Sequence, residues 1–86
     1  MNKIIVHHSA AKYLQRLPKN IQEHIKTTLK QLEINPLEHA DVKAMAGEWT
    51  GYYRLRIGKF RIIFWYDKKE SIVYIDHIGA RGDVYK

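Results

Sequence analysis

The stretch Tyr53-Arg54-Leu55-Arg56-Ile57-Gly58-Lys59-Phe60-Arg61-Ile62-Ile63-Phe64 decides the fold. Two runs of aromatic and β-branched residues flank Gly58-Lys59, a two-residue loop with glycine first, which suits a type II′ hairpin. Such a loop sets the register: Ile57 pairs with Phe60, Arg56 stands opposite Arg61, Leu55 opposite Ile62 and Arg54 opposite Ile63. Alternate side chains share a face, so Arg54, Arg56 and Arg61 emerge together on one side. Tyr53, Leu55, Ile57, Phe60, Ile62 and Phe64 form the other side, an apolar surface that requires cover.

Working outward, Trp49–Ile57, Phe60–Tyr66 and Ser71–Ile78 read as strands of a three-stranded antiparallel meander, split by Gly58-Lys59 and by Asp67-Lys68-Lys69-Glu70. The cover lies upstream. Lys3–His7 is a short β-branched run, followed by Ser9 as an expected N-cap and by Ala10, Ala11, Tyr13, Leu14 and Leu17 at helical spacing. Pro18 suits a first helical turn, and Ile21, Ile25, Leu29 and Leu32 predict a second amphipathic helix over about Lys19–Glu33, stopped by Asn35-Pro36. Lys19, Glu23, Lys26 and Lys30 on its opposite face read as a solvated helix surface. Leu37–Gly47 shows no firm periodicity and reads as a connector. The order β-α-α-β-β-β implies an α+β domain in which an N-terminal strand and a two-helix hairpin precede the meander, with the helices packed on one sheet face.

At 86 residues with 45% hydrophobic and 28% charged residues, residues 1–86 are expected to form a single domain. The absence of cysteine excludes disulfide frameworks and thiolate metal sites and fits a reducing compartment. Met1–His8 holds an apolar run of only Ile4, Ile5 and Val6, too short for a secretory leader, and no stretch approaches the roughly 18 apolar residues that span a bilayer. A cytoplasmic, soluble protein with no membrane partner is expected. The net charge of +6 favours a polyanionic partner.

Arginine occurs only at Arg16, Arg54, Arg56, Arg61 and Arg81. Facing like charges destabilise a sheet, with Cβ atoms only about 4.5 to 5.5 Å apart, so Arg56 against Arg61 with Arg54 beside them calls for a reason outside folding. Glu48 and Asp76 are candidate carboxylate partners, but such surface pairs contribute only about 0 to 1 kcal/mol. Three planar forks on one face are better explained by an anion held bidentately, as phosphate is. Arg81, between Gly79 and Gly82, can turn back over the same face, and Tyr85 follows four residues later. A tyrosine near a chain end is most often a packing residue, but beside the cations its phenol can stack on a base, orient a hydroxyl or exchange a proton. Trp65 and Tyr74 offer stacking surface or packing. His7, His8, His24 and His39 lie away from the arginines. His77 alternates onto the apolar side of the last strand, unless the register after the Asp67–Glu70 loop slips by one and turns it towards them. No His, Asp and Glu spacing resembles a metal-ligand motif, and neither metal nor cofactor is expected.

The run from Tyr53 to Phe64, together with Ile78-Gly79-Ala80-Arg81-Gly82-Asp83-Val84-Tyr85, resembles the RelE/ParE toxin superfamily, and the likeness spans nearly the whole chain. Leu17-Pro18, the Asn35-Pro36 helix stop and Gly47 fall where such toxins have them. The resemblance implies a toxin of a type II toxin–antitoxin pair, paired with an acidic RelB-like antitoxin. The RelE branch cleaves mRNA in the ribosomal A site without metal; the ParE branch inhibits DNA gyrase. The basic positions of the RelE branch correspond to Arg54, Arg56, Arg61 and Arg81, and its terminal tyrosine to Tyr85, which favours the nuclease, while a ParE-type gyrase inhibitor without nuclease activity is the alternative. The best-known RelE member carries lysines where this chain has Arg54 and Arg56. Arginine stays protonated, so neither is a general base and their role is electrostatic. On this reading Arg56 and Arg61 clamp the phosphorane, Arg81 stabilises the leaving group, Arg54 positions the RNA backbone, and Tyr85 orients the nucleophile or relays its proton.

Overall fold

The computed structural model describes residues 1–80. Its elements are β1 (Lys3–Val6), α1 (His8–Gln15), α2 (Lys19–Gln31), β2 (Val42–Ala44), a single 3-10 turn at Gly47–Trp49, β3 (Tyr53–Ile57), β4 (Phe60–Asp67) and β5 (Ile72–Ala80). The strands form one five-stranded sheet in the order β1-β5-β4-β3-β2. The expected α+β class with a helical hairpin on one face is what the chain adopts, but the meander is extended at both edges. β1 pairs in parallel with β5, and β2, inside the stretch read as a connector, pairs antiparallel with β3. With β1 and β2 at opposite edges, the chain from α1 through α2 runs from one edge of the sheet to the other, and both helices pack on the apolar residues of β3, β4 and β5.

The register predicted from Gly58-Lys59 is the one observed, with Ile57 on Phe60, Arg56 on Arg61, Leu55 on Ile62 and Arg54 on Ile63. Gly58 has φ +57 and Lys59 does not share it, as a turn with glycine first requires. The β3 strand starts at Tyr53 rather than Trp49, because Gly47–Trp49 closes a 3-10 turn and Gly51, at φ +99, takes a backbone shape that interrupts an extended run.

Helix α1 begins two residues earlier than Ser9 as N-cap implied. His7 is its N-cap, and the ring Nδ1 accepts the Ser9 backbone N–H at 3.2 Å. Pro18 caps α2 rather than entering it, with φ −55 and ψ 147. Gln22 joins the two helices by donating its side-chain amide to the carbonyls of Leu17 (2.7 Å) and Gln15 (3.2 Å), which α1 leaves without helical partners. Ala10, Leu14, Ile25, Leu29 and Leu32 pack on Leu55, Ile57, Phe60, Ile62, Phe64, Val73, Ile75 and Ile78 as one core. The N-terminus is tied to the end of α2, since the Asn2 backbone and side-chain amides both donate to the Glu33 carbonyl, and the Tyr66 hydroxyl donates to Asn2 Oδ1 at 2.8 Å. No helix among the described residues is long and apolar enough to cross a membrane.

Candidate functional site

The helices leave the second sheet face open, and the strand registers determine what it carries. Across β2, β3, β4 and β5 runs one row of cross-strand neighbours: Lys43, Arg54, Ile63 and His77. At roughly 4.8 Å per strand the row spans about 14 Å. The adjoining row is Arg56, Arg61 and Gly79. Arg54, Arg56 and Arg61 therefore share a face, and Lys43 adds a fourth cation that sequence reading missed because β2 is too short to show alternation.

Between the rows the surface is concave. A cleft of about 470 Å³ is lined by Lys43, Ala44, Met45, Ala46, Trp49, Arg54 and Arg61. A smaller one, about 220 Å³, lies between Ala40, Asp41, Lys43, Arg54 and Arg56. Arg54 belongs to both. Its Nε is buried and has no hydrogen-bond partner among the described residues, an uncompensated donor that an oxyanion would satisfy. Ile63 forms the floor beside it, fully buried yet separate from the core under the helices. Gly79 stands opposite Arg61 and brings no side chain to crowd it.

The carboxylates considered as partners leave two of these arginines unpaired within residues 1–80. Among the described residues, neither Glu48 nor Asp76 pairs with Arg54 or Arg56. Asp76 instead engages the Tyr52 hydroxyl, and that hydrogen bond, with burial and the carboxylate charge, raises the Tyr52 pKa above 10.0. Trp65 and Tyr74 are cross-strand partners stacked on each other, with centroids 4.4 Å apart and planes 12° apart, further along the same face.

His77 departs from expectation. Ile62 pairs with Ile78 and Ile63 with His77, but Phe64 pairs with Ile75, so Asp76 is an extra residue on β5. This bulge reverses the alternation of the strand. Ile75 and Ile78 can then both reach the core, while His77 is exposed on the arginine face and meets the Trp49 ring edge-on at 5.4 Å. Trp49 makes a second edge contact with Tyr52 at 5.3 Å. No group of three or more His, Asp and Glu side chains among the described residues is arranged to hold a metal ion. Arg81 and Tyr85, the other two expected site residues, lie outside the described residues.

A helical hairpin on one side of a five-stranded sheet, with a concavity lined by cations on the other, defines a small basic α+β protein. The family model described as ParE toxin of type II toxin–antitoxin system, parDE, matches residues 4–85, and the chain belongs to that RelE/ParE toxin superfamily. Within it the chain is RelE-like. It is 34% identical to the protein named "Putative toxin RelE1" of Methanocaldococcus jannaschii, over 94% of this chain and 91% of that one. Among solved structures it is similar to the archaeal RelE-RelB complex from Pyrococcus horikoshii OT3, with a TM-score of 0.83 and 29% identity, covering 95% of this chain and 97% of that one. The toxin–antitoxin complex RelBE2 from Mycobacterium tuberculosis shares the fold, with a TM-score of 0.81, at 22% identity over 93% of this chain and 98% of that one.

Proposed function

We propose that this RelE-like toxin is a metal-independent mRNA endonuclease that acts in the ribosomal A site and so inhibits translation. The observation that carries the reading is the convergence of Lys43, Arg54, Arg56 and Arg61 on the open face, above all Arg54, whose buried Nε has no hydrogen-bond partner among the described residues. Metal-free RNA cleavage requires attack of a 2′-hydroxyl on the adjacent phosphate, stabilisation of the phosphorane and help for the departing 5′ oxygen. Arg56 and Arg61 clamp the phosphorane, Arg54 holds the RNA backbone, Arg81 stabilises the leaving oxygen, and Tyr85 orients the nucleophile or relays its proton.

The protein acts in the cytoplasm. Its inhibitor is an acidic RelB-like antitoxin that covers the cationic face or displaces the C-terminal segment, a reading supported by the RelE-RelB complex among the similar structures.

Induction of the wild type should arrest growth and produce codon-localised cuts in a primer-extension map. Arg61→Ala and Arg81→Ala should each abolish both while leaving the fold intact, since removing one such donor costs about 100- to 1,000-fold in rate. Wild-type cleavage by both variants would place the site elsewhere. The family model's ParE description favours a second reading, a gyrase inhibitor without chemistry of its own. A supercoiling assay run beside the primer-extension map separates the two, because only one of them should respond.

A further inference from the structure

We propose that His77 is the general base of this site, the group that takes the proton from the attacking 2′-hydroxyl. The inference rests on the endonuclease reading and supplies the proton acceptor that arginine cannot be. The bulge at Asp76 is what brings an imidazole to the arginine face, and bulges next to active sites commonly re-aim one side chain.

The geometry fits the chemistry. His77 and Arg54 flank the buried Ile63 from the two neighbouring strands, so their backbones are about 10 Å apart, with an apolar floor between them. That interval accommodates a ribose and its phosphate. Arg61 is the diagonal neighbour of His77, two residues along β4 from Ile63, within about 7 to 8 Å and in reach of the same phosphate. Trp49 holds the ring edge-on at 5.4 Å and also lines the cleft with Arg54 and Arg61, while His77 itself stays exposed and open to substrate. Among the described residues, the titratable and charged groups around it are Asp76 on its own strand, Tyr52 beside Trp49, Arg61 on β4, and Arg54 and Lys43 along its row on β3 and β2. The Asp76 carboxylate accepts the Tyr52 hydroxyl.

The step balances without a co-reactant. The 2′-hydroxyl gives its proton to neutral His77, the 2′ oxygen bonds to phosphorus, the bond from phosphorus to the 5′ oxygen breaks, and that oxygen takes a proton from water. The products are a 2′,3′-cyclic phosphate and a 5′-hydroxyl end, and the imidazolium returns its proton to solvent.

The test is the pH dependence of single-turnover cleavage of ribosome-bound mRNA by the full chain, its His77→Gln variant and its His77→Ala variant, with thermal unfolding run alongside. A general base must be neutral, so wild-type cleavage should fall on the acid side of its pH profile. Both variants should be slowed by about 100-fold or more and should lose that acid limb, and added imidazole should restore part of the His77→Ala rate. The glutamine variant keeps a polar side chain against Trp49 and decides the matter if the alanine variant unfolds. Wild-type rates in the glutamine variant, or a slower rate with the acid limb unchanged, would overturn the assignment and leave the nuclease reading standing. A wild-type protein that cuts no RNA, on or off ribosomes, would overturn both.

Discussion

Arg56 and Arg61 are direct cross-strand partners on β3 and β4, two guanidinium groups placed opposite each other where folding alone would favour any other pairing. Arg56 is exposed and Arg61 half-buried, so the repulsion is partly relieved by water. Like charges directly opposite each other are unfavourable in a sheet. Arg56→Thr should therefore raise stability by about 0.2 to 1 kcal/mol while lowering cleavage at least 100-fold. Thermal unfolding and primer extension on the same preparation check this, and a destabilised variant would show that Arg56 has a structural role instead.

Gly58 sets the hairpin register through its φ of +57, and a side chain there would meet nothing within 4 Å. Gly58→Ala should cost roughly 1 to 2 kcal/mol from backbone conformation alone. Gly58→Asn should cost less, because asparagine tolerates positive φ. Denaturant unfolding measures the difference; equal losses in the two variants would mean that backbone conformation is not what the glycine supplies.

The Tyr66 hydroxyl donates to Asn2 Oδ1 at 2.8 Å, while Asn2 Nδ2 donates to the Glu33 carbonyl at 3.1 Å. Tyr66→Phe should destabilise by about 0.5 to 1.5 kcal/mol, and Asn2→Ala by more, since it removes both bonds. The double variant should lose less than the sum of the two, a coupling readable in a double-mutant cycle. Strict additivity would indicate that the contact contributes nothing.

Tyr52 has its pKa raised above 10.0, chiefly by the hydrogen bond to Asp76, then by burial and the carboxylate charge. A raised folded-state pKa gives stability that is present below the unfolded value near 10 and is lost as pH rises through the folded value. Stability should thus fall on the alkaline side, and Asp76→Asn should return the phenol towards its ordinary value. Ultraviolet titration of phenolate formation follows this directly, against Tyr52→Phe as the blank. An unchanged curve in Asp76→Asn would remove Asp76 as the cause.

Features that depend on near neighbours along the chain were readable from the order of residues alone. A two-residue turn with glycine first leaves one pairing for the residues beside it, so the alignment of Arg54, Arg56 and Arg61 was legible from Tyr53 to Phe64. The apolar period of α2 likewise identified Ile25, Leu29 and Leu32 as its buried side. Only the tertiary structure decided what depends on distant partners. β2 is three residues long and is a strand because β3 offers it an edge, which is why Lys43 could not be assigned to the arginine face. β1 gains its place from a parallel partner nearly seventy positions away. His77 changed sides because Ile75 and Ile78 are both drawn into the core under the helices, and an odd spacing of three can satisfy both only if Asp76 bulges out of the ladder with β4. Alternation along a strand is a local rule, and it yields wherever burial on a remote surface is worth more than one unbroken ladder.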